Sequence, residues 1–313
     1  MRRLDHRRRW GFLNVANRRK KKDCTINWER ACEIFGNPQP PKTVWERQFD
    51  YCDDDFKRFA TTPYEQMDFA DLWYYYHDLA YVELQPEVFG YLFPACLMDW
   101  HHSLMRNQGC SHGDAEFHFG IHQGNVFEKM LTAQQLDEVC EFFRDSFLER
   151  LDVERELSPV PSKFPSTAWI DRFNSLGLVI PWIEVIWNSW WSLDTPGRAM
   201  AAIQYCSGLM YFDEDNPLFK TWDGFVPSLW KNDSWIFGTG WSDNNCTFLK
   251  RTLTVEFVNR QLPKAVDRLS EGSDFQQAQQ IQNDLPECQE LLKVRVNELP
   301  RLLSNTDAED WTV

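Results

Sequence analysis

Between Pro86 and Leu104 the apolar side chains fall where one face of a helix needs them. Phe89, Leu92, Phe93, Cys96, Leu97, Trp100 and Leu104 stand at i, i+3, i+4, i+7, i+8, i+11 and i+15. A 3.6-residue turn gathers them into one stripe; a pleated strand would scatter them over both faces. Gln85-Pro86-Glu87 opens this helix with Pro at its first position. Pro94, inside the stripe, lacks an amide hydrogen and predicts a kink near Gly90. A second stripe, Leu136, Val139, Cys140, Phe143, Phe147 and Leu151, follows the capping-box pattern Thr132-Ala133-Gln134-Gln135.

Further helices are predicted on the same grounds. Thr43-Val44-Trp45-Glu46 reads as another capping box, and Thr62-Pro63-Tyr64-Glu65 as another helix start. Residues 169–176, 181–193, 197–212, 255–269 and 285–303 carry helical periodicity, whereas a polar, Gly-rich loop is expected from about Asn107 to Asn125. No strand-rich alternation occurs, so the fold class read is mainly α. Two helical subdomains are expected, with an irregular Trp-, Asn-, Asp- and Gly-rich segment at 213–246 that has room for a short hairpin. The 15 Trp and 23 Phe predict an aromatic-rich core.

Proline and charge set the expected boundaries. Residues 1–42 read as a basic, disordered tail plus a stiff linker, Asn37-Pro38-Gln39-Pro40-Pro41. A helical domain is expected over 43–157 and a second over 167–304. Three prolines mark a linker at 158–166, and 305–313 read as a frayed terminus. Residues 2–22 hold ten Lys or Arg against one acid, a local +9 within a chain of net -14, which leaves -23 for the remainder. Such a body repels nucleic-acid phosphates and anionic membranes; only the tail attracts them. The plainer account of the tail is a solvated charge run.

Nine cysteines, an odd number without a Cys-x-x-Cys pair, argue against a disulfide framework and fit a reducing cytoplasm. No apolar run follows Arg7-Arg8-Arg9, so no export signal is read, and the most apolar stretch, 176–187, is too short to span a bilayer. P-loop, dinucleotide-binding, Gly-x-Ser-x-Gly, kinase and zinc-deaminase patterns are all missing.

Histidine is the one local anomaly. Five of the seven, His101, His102, His112, His118 and His122, lie within 22 residues, and Cys110 stands among them. Imidazole and thiolate bind zinc. Cys110, His112, His118 and His122 therefore form the candidate metal set, with a metal-dependent hydrolase as the activity it would serve. Against this, Gly113, Gly120 and Gly124 mark the stretch as loop, and no Glu follows the first His of a pair as the zinc-protease pattern requires. A polar surface loop is the default. Asp53-Asp54-Asp55 reads as a solvated turn; Asp213-Glu214-Asp215-Asn216 hints at calcium, but Pro217 and Leu218 stand where a calcium loop needs its central Gly and later ligands.

Three groups of residues carry a resemblance. They are His77-Asp78-Leu79; Leu84-x-Pro86-Glu87-x-Phe89-x-Tyr91-Leu92-x-Pro94-Ala95-x-Leu97; and Leu131-Thr132-x-x-Gln135 with Phe142-Phe143. In this order they resemble an uncharacterised bacterial domain-of-unknown-function family over residues about 68–150. The resemblance implies a small helical domain and no activity. The reading taken from the whole sequence is an interaction protein rather than an enzyme, its acidic body suited to a basic partner. Nucleic-acid contact through residues 1–23 and zinc-dependent hydrolysis are the alternatives.

Overall fold

The apolar stripe of 86–104 forms the central helix of the protein. In the computed structural model, which describes residues 26–47, 52–106, 112–158, 169–220 and 240–304, and only the backbone at 112–116, this helix (α4) spans Pro86–Met105. It continues through Pro94. Tyr91, Ala95 and Met98 are buried along with the stripe, so it is covered on nearly every side, as befits a helix inside a large core. Helix accounts for 72% of the structure, and no strand occurs among the described residues. The mainly α class read from the stripes holds.

α1 (Trp28–Ile34) and α7 (Ala133–Asp152) pack on α4. α2 (Asp53–Ala60) lies at its side, and α3 (Leu72–Tyr81) pairs closely with α5 (His112–Gln123). The short α6 (Val126–Met130) leads into α7. α8 (Trp169–Val179), α9 (Ile183–Trp190) and α10 (Pro196–Met210) all pack on α7. α11 (Asp243–Thr252), α12 (Val255–Val266), α13 (Ser273–Asp284) and α14 (Gln289–Ser304) close the structure, with α12 and α14 against α10. One hydrophobic cluster runs from Ile26 to Leu299. Helices on both sides of 158–166 thus share a core. Asp152 of α7 receives Arg198 of α10 in a two-pronged ion pair, Nε–Oδ1 2.7 Å and Nη2–Oδ2 2.9 Å. No described helix is long and apolar enough to cross a membrane.

The Thr132 capping box forms as the sequence predicts, and the Gln135 amide reaches on to the carbonyl of Ile34, 3.3 Å away. The Gly-rich loop expected at 107–125 is corrected: from His112 onward it is helix α5. Its glycines serve close approach. A Cβ on Gly120 would stand 2.5 Å from the Tyr76 carbonyl oxygen, and one on Gly124 would collide with that of Leu79. Only a bare backbone lets α5 sit this near α3.

Thr43-Val44-Trp45-Glu46 is corrected as well: residues 43–47 form no helix. Glu46 is captured by a distant residue instead of a local cap. Its Oε2 accepts the Gln85 backbone amide at 2.6 Å, and the Gln85 side chain bonds back to Trp45 N and Thr43 O at 2.7 and 2.8 Å. Thr62-Pro63-Tyr64-Glu65 forms a turn, with Gln66 N on Pro63 O at 2.9 Å. There Tyr64 stacks on Tyr91 at 4.4 Å and packs on Trp28 at 4.9 Å, and tertiary aromatic packing displaces the local helix signal. Asp53-Asp54-Asp55, read as a turn, is the first turn of α2, where its carboxylates oppose the positive end of the helix dipole. Helices α1, α11 and α13 also fall where no helix was predicted. The tail at 1–23, the stretch 159–168, the part of the expected hairpin in 221–239 and the terminus 305–313 lie outside the described residues.

Candidate functional site: a basic groove between α9 and α12

His118 and His122 share α5 one turn apart, yet they meet different surroundings. His118 is fully buried and its Nε2 accepts the Trp100 indole N–H at 3.2 Å, while His122 is exposed. Cys110 and the His112 side chain lie outside the described residues. His101 is buried, 2.7 Å from the Ser146 hydroxyl, and burial, followed by the neighbouring His102, pulls its pKa down to about 4. Arg172, also buried, donates to Ser103 at 3.0 Å. These groups bind α4 to α5, α7 and α8 by interior hydrogen bonds, the usual solution for buried polar atoms. Among the described residues no group of three or more His, Cys, Asp or Glu is placed to hold a metal ion.

A different surface has the shape of a receiving site. Where α9 ends against α12, two adjoining depressions of about 450 Å³ and about 310 Å³ share Trp191, Ser192 and Gln261. α12 explains the floor and the wall together. Thr254 caps it, its hydroxyl accepting Phe257 N at 3.1 Å. Its apolar face, Phe257, Val258, Leu262, Ala265 and Val266, is buried. Phe257 meets Trp191 edge-on at 4.8 Å and Trp187 at 5.5 Å, which fixes α9 to α12.

Cations line the open side. Arg260 and Lys264 of α12 and Arg268 just beyond it recur every fourth residue, and Arg251 at the end of α11 adds a fourth. All four are exposed, and none makes an ion pair among the described residues. The Arg260 guanidinium lies 5.8 Å above the Phe257 ring and that of Arg251 6.0 Å above Phe248. Each such contact is worth about 0.5–1 kcal/mol at an exposed site and holds the guanidinium in place. Among the described residues Glu256 and Asp267 are the groove's only acids, so its lining carries more positive than negative charge.

Two further features belong to this place. The indole N–H groups of Trp187 and Trp191, shut off from solvent, have no hydrogen-bond partner among the described residues. An unmet buried donor costs about 1–3 kcal/mol. Leu193, at the rim, holds φ at 56°, a left-handed backbone that a bulky side chain adopts only under constraint. Its own contacts hold it there: Leu193 N–H bonds to Trp190 O at 3.1 Å and its side chain is buried.

The sequence reading missed this groove. The period of Arg260, Lys264 and Arg268 was legible in a correctly predicted helix, but the tryptophans that complete the site lie some 70 residues earlier. A second hollow, about 510 Å³, opens between α2 and α3 and is lined by Asp55, Asp68 and Asp71 together with Arg58, which pairs with Asp55 at 2.5 Å. Comparison of the chain with protein-family models, with curated proteins and with solved structures finds no match.

Proposed function

We propose that this is a non-enzymatic binding protein of the cytoplasm whose receiving surface is the α9–α12 groove and whose ligand is anionic. The observation that carries the reading is the set of four exposed cations around one concavity, without ion-pair partners among the described residues, in a chain whose net charge is -14. Surface Arg and Lys in so acidic a protein find counter-ions easily, and leaving four together unmatched favours an outside anion. Asn188, Ser192, Thr252 and Gln261 line the groove with hydrogen-bonding groups, and the Glu256 carboxylate is held below its ordinary pKa by its own backbone amide and then by Thr254, which makes it a weaker base and fits binding better than catalysis. All seven described cysteines are free thiols, which supports a reducing compartment.

The test is a thermal-unfolding titration with citrate as a trivalent probe. At ten times its Kd a ligand stabilises by about 1.4 kcal/mol, or roughly 2–6 °C in a domain of this size. Wild type is expected to shift by that much and the double variant Arg260→Glu, Lys264→Glu not at all. Equal shifts in both proteins would exclude the groove.

A second reading, a basic partner for the acidic body, draws support from the α2–α3 hollow, whose lining holds Asp55, Asp68 and Asp71 against one cation, Arg58, already paired with Asp55. Competition by spermine, weakened by Asp55→Asn with Asp68→Asn, is its expected signature.

A further inference from the structure

Resting on the anionic-ligand reading, we infer that the groove takes an acidic protein segment, with carboxylates repeating at about the pitch of one helical turn. Arg260 and Lys264 stand four residues apart on α12, and Arg268 follows at the same sequence interval in the turn just past its end, where its N–H bonds to Ala265 O at 3.1 Å. The helical rise sets Arg260 and Lys264 about 6 Å apart along the axis, and the turn carries the row on to Arg268. Carboxylates at i, i+4 of a helix repeat at that same interval, and those at i, i+2 of an extended chain at about 6.6 Å. A single anion engages one of these positions; a segment engages three together, and the second and third contacts come at the high effective concentration of a linked ligand.

A nucleic-acid strand also repeats its charge at a similar distance, and three observations turn the choice toward protein. Asn188, Ser192 and Gln261 line the groove, and each can donate and accept. Peptide groups need both, whereas a phosphate backbone offers acceptors alone. Trp187, Trp191 and Phe257 are buried, exposing no ring face on which a base could stack. Glu256 and Asp267 interrupt the positive stretch. Beyond it the acidic body opposes any longer polyanion within about 8 Å, the screening length at physiological salt.

Fluorescence anisotropy on the full-length protein tests the assignment with four probes: a labelled eight-residue peptide alternating Glu and Ser, its Gln-for-Glu counterpart, free glutamate as competitor, and a labelled eight-nucleotide oligothymidylate. The Glu peptide is expected to bind at least tenfold more tightly than glutamate and the Gln peptide not to bind. Arg260→Gln with Lys264→Gln should weaken the peptide tenfold or more. Arg268→Gln alone should weaken it about threefold, with unfolding temperature and circular dichroism unchanged. If citrate binds but the peptide is no tighter than glutamate, the linear-segment assignment is overturned while the anion reading stands. If neither binds, both fall. Tighter binding of the oligonucleotide than of the peptide would overturn the choice of protein.

Discussion

Replacing Glu46 by Gln should change how stability depends on pH, by an amount the structure sets. Glu46 is 1% exposed; its Oε2 accepts from Gln85 N, and its Oε1 has no partner among the described residues. The Tyr75 hydroxyl, also buried without a described partner, is near enough to feel its charge. Burial raises the Glu46 pKa from 4.5 to about 7, against a smaller lowering by the Gln85 amide. Below pH 4.5 the carboxyl is protonated in folded and unfolded chains alike, and its contribution is fully present. As the pH rises from 4.5 to 7 the unfolded chain releases the proton while the folded one keeps it, so stability falls. Above pH 7 the folded protein ionises too and the loss levels off. At about 1.4 kcal/mol per unit, the shift corresponds to about 3 kcal/mol. The amide introduced by Glu46→Gln does not ionise and can keep the Gln85 contact. Urea unfolding followed by circular dichroism from pH 4.5 to 8.5 should show wild type and Glu46→Gln converging at the acid end. The variant should become more stable by about 3 kcal/mol near pH 8. Taking the difference between the two proteins cancels every other titrating group. A difference constant across the range would refute the claim that Glu46 is buried against the Gln85 turn.

His101 acts in the opposite sense: with its pKa lowered to about 4 by burial and then by His102, the stability it contributes is present above pH 6.5 and lost as pH falls through 4. Its ring nitrogens should stay in the neutral pattern at pH 5.5 by 15N NMR, and a midpoint near 6.5 would contradict the buried contact with Ser146. Gly124→Ala would drive a methyl into the Leu79 carbonyl oxygen and force α5 off α3; a loss of about 3 kcal/mol or more is expected in chemical unfolding. Asn245 accepts from Ile183 N at 3.1 Å and donates to the carbonyls of Gly177 and Ile180 at 3.0 and 2.7 Å. Asn245→Ala strands three buried backbone groups and should cost about 2–4 kcal/mol in the same assay; a cost under about 0.5 kcal/mol would show that water reaches this corner.

The part of the sequence that could be read correctly is the part governed by neighbours in the chain. The 3.6-residue period of 86–104 and 136–151 marks helices because burial must fall on one side of each turn. Thr132 and Gln135 form their capping box because both partners lie within four residues. Where a partner comes from far along the chain, the local pattern misleads. Glu46 carries the third position of a capping box, but Gln85, 39 residues on, takes its carboxylate. Gly120 and Gly124 look like loop residues, since a sequence does not say that the missing side chain makes room for another helix. The groove divides the same way. The cation spacing along α12 and just past its end is written in the sequence; the aromatic floor exists only because Phe257 packs against Trp187 and Trp191. Local order thus chose the helices, and contacts between distant residues, which no short-range signal encodes, decided which of their faces stayed open.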